Sequence, residues 1–153
     1  MARAAALLAL ALLAAAVVVG GCGEDEGVSA GATVRVYVGA SLCAGAKAEL
    51  GASKSAGDEV RVRPVCLAET ETGGRLDLAT VGVNARRASE DSSSIAYVEA
   101  AGTANRFARP IVEEADIAFV KSSSGGAAMR QVLNAVAEAG SGSLRTSVRD
   151  TLE

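Results

Sequence analysis

The side chains able to do chemistry are few: three cysteines at 22, 43 and 66, loop hydroxyls at Ser41, Thr103, Ser122 and Ser123, eighteen carboxylates, and no histidine. Imidazole is the usual base of Ser and Cys hydrolases and a frequent metal ligand, so its absence excludes His-dependent triads and leaves a catalytic cysteine without its partner. The serine-nucleophile patterns GxSxG and SxxK are also missing, and 39-GASLCAGAK-47 lacks the Gly-Lys-hydroxyl ending of a phosphate loop. Glu24 to Glu26, Glu90 with Asp91, and Glu113 with Glu114 read as solvated surface or tether. No enzymatic activity, metal or cofactor is expected. With a net charge of −3 and arginines scattered through the chain, no basic stripe marks a nucleic-acid partner.

Cys22 is the cysteine with the most specific context. Arg3 supplies a positive start, residues 4–19 form an apolar run of 16, and Val19-Gly20-Gly21 brings small residues up to Cys22. The run is shorter than the roughly 20 residues that span a bilayer as a helix. VGGC resembles the lipobox of bacterial lipoproteins. The resemblance implies cleavage after Gly21, acylation of Cys22 and attachment to the outer side of the cell membrane. The expected organisation is a signal peptide (1–21), a lipid-anchored tether (22–32) containing the acidic GEDE, and one domain (33–153).

The elements that must position the remaining residues alternate between period two and period 3.6. Val34, Val36 and Val38 predict a strand over 33–39, a weak helix follows over 44–57, and 59–67 is a second strand placed at an edge by Pro64. A helix over 76–91 puts Leu78, Val81, Ala85 and Ala88 on one face, and 95–100 is the third strand. A helix over 102–115 aligns Phe107, Ile111 and Ala115, with Thr103 as cap and Pro110 inside it. The fourth strand, 116–121, has an apolar centre suited to burial on both faces. Met129, Val132, Leu133 and Val136 then mark a helix, and 144–152 a last one. The βαβαβαβαα order predicts an α/β three-layer sandwich: a mainly parallel four-stranded sheet of order 2-1-3-4 with helices on both faces.

In that order the winding reverses between the first and third strands, and ligands favour the crevice beyond their carboxyl ends. The loops 40–43 and 100–103 meet there, each opening a helix whose N–H groups suit a carboxylate. Ser41 and Thr103 serve equally well as helix caps. Cys43 and Cys66 lie near the carboxyl ends of adjacent strands. They are either bridged, as an oxidising compartment favours, or two buried apolar thiols.

Residues 75–124, from RLDLATVGVNARRASED through IAYVEA and ARPIVEEADIAFV to the serines, resemble the amino-terminal lobe of type I periplasmic binding proteins. Among these the branched-chain amino acid receptors of ABC importers are most alike, and TVRVYVGASLCAG fits their first strand and loop. GGAAMRQVLNAVAEAG onward is similar to a segment near that family's end, which makes SSSGG a seam where the second lobe is missing. The resemblance implies a solute-binding lipoprotein reduced to one lobe. Its ligand is a small amino acid or related solute, held by Ser41, Gly102, Thr103, Ser122 and Ser123, and its partner is an ABC importer permease. Ala101 and Gly102 stand where relatives carry hydrogen-bonding residues, and Glu69 and Glu71 are shifted counterparts of family acidic positions. The competing expectation is a non-catalytic interaction lipoprotein that dimerises through the surface the lost lobe would cover.

Overall fold

The computed structural model describes residues 32–52, 60–139 and 143–153. The expected signal peptide, Cys22 and the tether up to residue 31 lie outside them, as do residues 53–57 of the expected first helix. Nine principal elements follow: β1 (Ala32–Val38), α1 (Ala40–Ala52), β2 (Val60–Cys66), α2 (Leu78–Ser89), β5 (Ser94–Glu99), α3 (Asn105–Glu114), β6 (Ala118–Lys121), α4 (Gly125–Glu138) and α5 (Leu144–Leu152). Between β2 and α2 a short hairpin, β3 (Glu71–Thr72) and β4 (Arg75–Leu76), turns through Gly73 and Gly74, both at positive φ. Periodicity cannot reveal strands of two residues, and the sequence reading missed this pair.

The main sheet has the order β2-β1-β5-β6 with every pairing parallel. This is the expected α/β sandwich. On one face α1, α4 and α5 bury Val34, Val36, Val38, Val98 and Val120 against Leu42, Met129, Val132 and Val148. On the other, α2 and α3 cover Tyr37, Tyr97 and Ile117 with Val81, Ala85, Ala108 and Val112. Tyr97 stacks on Phe119 there at 5.6 Å between ring centroids.

Several expectations are corrected. The strand buried along its whole length is β5, not β6, because β6 is an edge with Phe119 half-buried and Lys121 exposed. α1 starts at Ala40, so Ser41 and Cys43 sit in its first turn rather than in a loop. α2 starts only after Asp77, whose carboxylate accepts from the Ala79 and Thr80 N–H groups, and Leu78 faces solvent. In α3 the buried residues are Ala108 and Val112, one position on from the predicted stripe, and Phe107 is exposed. Ala104, not Thr103, occupies the cap position of α3 and makes no side-chain bond.

Cys43 and Cys66 form a disulfide with a Cα separation of 5.6 Å, fastening the start of α1 to the end of β2. A loop of this size contributes about 3 kcal/mol by restricting the unfolded chain. The SSSGG run is the junction of β6 and α4. The Ser122 hydroxyl donates to the Ser124 carbonyl and accepts the Ser124 N–H, and Ser124 Oγ in turn accepts the Ala127 N–H to cap α4. Gly125 lies so close to the Leu42 carbonyl of α1 that any Cβ would overlap it. Two helices pack at backbone contact through that glycine.

Candidate functional site

β1 leads into α1 on one face of the sheet and β5 into α3 on the other, so the crevice of a winding reversal opens at their carboxyl ends. Main-chain bonds draw three loops to this point. The Gly39 N–H donates to the Val98 carbonyl at 2.8 Å, the Ser122 N–H to the Glu99 carbonyl at 3.1 Å, and the Leu67 N–H to the Val38 carbonyl at 2.9 Å. Asn84 of α2, itself buried, shapes the rim: its Oδ1 accepts the Ala68 N–H and its Nδ2 donates to the Ala68 carbonyl at 2.9 Å.

At the centre is Glu99, the last residue of β5 and only 7% exposed. Its Oε1 accepts the Ala100 N–H at 3.0 Å, and no other partner among the described residues holds its carboxylate. The carboxylate lies across Gly39, where a Cβ would collide with it, so glycine at the end of β1 is what admits a buried acid here. Burial raises the Glu99 pKa above the ordinary glutamate value; the Ala100 N–H opposes this, and the charge of Glu69 adds to it. Lys121 is its register partner on β6 without forming an ion pair with it among the described residues.

The sequence-predicted site residues are gathered at this end, but not all present free side chains. Ser41 is exposed on the first turn of α1, and Gly102 and Thr103 are exposed in the turn between β5 and α3. Ser123 is exposed, whereas the Ser122 hydroxyl is used within its own turn. Of the two acidic residues noted in the sequence, Glu69 stands on the rim within electrostatic reach of Glu99, and Glu71 belongs to the hairpin. A cleft of about 370 Å³ continues outward between Ala101, Gly102, Asn105, Arg106, Phe119 and Lys121. Within α3, Asn105 Oδ1 is buried with no hydrogen-bond partner among the described residues. Sequence reading missed Glu99. Its signal was a carboxylate closing an otherwise apolar strand, IAYVE, immediately before a loop.

At the amino end of the sheet a polar brace joins α5, β1 and the turn before β5. Arg145 of α5 donates to the carbonyls of Ser94, Ala115, Asp91 and Ser92. Asp91 accepts from Arg35 at 2.8 Å, from the Tyr37 hydroxyl at 2.7 Å, and from the N–H and hydroxyl of Ser93. Burial works to raise the Asp91 pKa, but these donors outweigh it and hold the carboxyl well below the usual range.

The chain matches no family model, and neither curated proteins nor solved structures give a match.

Proposed function

We propose that this chain is a membrane-tethered, solute-binding-like lipoprotein, built like the amino acid receptors of ABC importers and without enzymatic activity. The observation that carries this reading is Glu99: a largely buried carboxylate whose second oxygen has no partner among the described residues, held against Gly39 in the crevice where ligands of doubly wound sheets bind. A buried carboxylate is costly unless something compensates it, and an ammonium group does so. The first N–H groups of α1 are suited to the carboxylate of the same amino acid. Acylated Cys22 anchors the protein on the outer side of the membrane, and an importer permease is its partner.

One lobe supplies only part of the grip of an enclosing receptor. Half of about −8 kcal/mol corresponds to a Kd near millimolar. Thermal unfolding of the chain without residues 1–21, recorded with millimolar leucine, isoleucine or valine, tests the reading. Stabilisation by one amino acid, about 0.4 kcal/mol at a concentration equal to Kd, that disappears in Glu99→Gln supports it; indifference to every amino acid sinks it.

The outer edge of β6 favours a second reading, an interaction module. Among the described residues β6 pairs with β5 alone, and open clefts lie beside Phe119 along it. Unpaired strand edges recruit other strands. A dimer in sedimentation that ignores amino acids, and that a Phe119→Lys substitution dissociates, would favour this alternative.

A further inference from the structure

Arginines that are dispersed in the sequence are collected by the fold. Thr33 pairs with Arg61 and Arg35 with Arg63 across the β1–β2 ladder. Partners in a parallel ladder project from the same face, here the face of Tyr37 and Val65, which α2 covers only towards the carboxyl end. Arg86 and Arg87 lie in the last turn of α2, which runs back towards the amino ends of the strands. An open groove of about 600 Å³ is bounded by Arg35, Arg86, Arg87 and Asp91. The fold thus brings five arginines to one end of this face, three of them beside Glu90 and Asp91, in a protein whose net charge is −3.

Folding explains only part of this set. Arg35 pairs with Asp91 and Arg87 sits 6.0 Å over the Tyr37 ring, but Arg61, Arg63 and Arg86 have no acidic partner among the described residues. Like charges directly opposite one another on adjacent strands destabilise a sheet. Arg35 beside Arg63 is such a pair.

From this patch and its place we infer that the amino end of the α2 face docks on an anionic lipid surface. The inference rests on the membrane attachment proposed above and adds which side of the domain meets the bilayer. β1 begins at Ala32 at this same end, ten residues after Cys22, a tether of at most about 34 Å even if fully extended. The patch is broad and open, as suits a surface of headgroups rather than one enclosed anion. Docked this way, the domain turns the Glu99 crevice, at the opposite end of the strands, away from the membrane.

The test uses the chain without residues 1–21 and with Cys22→Ser, so that no acyl chain contributes; both cores, the sheet and the disulfide lie within residues 32–153 and are retained. Co-sedimentation is measured with phosphatidylglycerol vesicles and with phosphatidylcholine vesicles at low and physiological salt. Binding to the anionic vesicles alone, weakened by salt and roughly 30-fold by Arg61→Gln with Arg63→Gln, is the expected result at about one unit of headgroup attraction per arginine. The double variant should unfold at the same temperature or higher, since like-charge repulsion is relieved, which separates lost docking from lost folding. Equal affinity for both vesicle types, or none for either, overturns the inference. So does anionic-vesicle binding that appears only after residues 22–31 are also removed, because the acidic Glu24, Asp25 and Glu26 would then be the occupant. Mass analysis of the full-length chain for acylated Cys22 tests the attachment itself, independently of these outcomes.

Discussion

On one face of the sheet, α1, α4 and α5 form a continuous apolar layer fastened by the Cys43–Cys66 disulfide and by backbone contact at Gly125. On the other face, α2 and α3 leave arginines uncovered at the amino end, and Glu99 lies in the crevice at the carboxyl end. Glu99, the arginine patch and the grooves beside Arg35 and Asn105 belong to this second face. The contrast teaches a division of labour. A small aromatic-poor domain obtains its stability from one well-covered face, and the other can then carry unpaired charge.

The sharpest way to break this contrast is to damage the packed face. Gly125→Ala places a methyl group against the Leu42 carbonyl, with α1 and α4 already at backbone contact, and overpacking of this kind costs roughly 3 kcal/mol. Urea unfolding should show the unfolding free energy fall by that amount and the midpoint fall with it; an unchanged midpoint would mean the helices can separate without penalty.

A smaller effect is expected from the polar brace beneath the second face. Asp91 has a depressed folded pKa, so its stabilisation is full above the unfolded-state value near 4 and is lost as pH falls below it. Asp91→Asn should lower stability at neutral pH by roughly 2 kcal/mol, as expected for hydrogen bonds to a charged group. It should also flatten the melting-temperature profile between about pH 2 and 5. A variant as acid-sensitive as the parent would place that sensitivity elsewhere.

The smallest effect has the opposite sign. Glu99 has a raised folded pKa, so its ionisation works against folding once pH exceeds the unfolded-state value, near 4.3. Glu99→Gln keeps an acceptor for the Ala100 N–H and removes the charge, so it should melt slightly higher than the parent at neutral pH. At the same time it should lose amino acid binding. Greater stability with weaker ligand response is the signature of a residue kept for binding, whereas a lower melting temperature would make Glu99 a structural acid.

Much of the fold was legible because its signals are local. Alternating valines in β1, the i, i+3, i+4, i+7 spacing of Met129, Val132, Leu133 and Val136, and Pro64 in an edge strand all act within a few residues. The stripe of α2 keeps Val81, Ala85 and Ala88 but not Leu78, and that of α3 is displaced by one position, because Leu78 and Phe107 are apolar yet face solvent, which only the position of the sheet decides. Ser122 and Ser124 were legible as polar loop residues but not as a turn and a cap, since that depends on where β6 ends.

By itself the sequence determined the order of the nine principal elements, the sheet order through the short parallel crossovers and the lack of any histidine, all of which follow from neighbouring residues or from composition. Tertiary structure alone decided that Cys43 reaches Cys66, that Gly39 makes room for a buried Glu99, and that Arg35, Arg61, Arg63, Arg86 and Arg87 share one end of one face. Each of those depends on residues brought together from different elements, and strand register sets such distances while local periodicity does not.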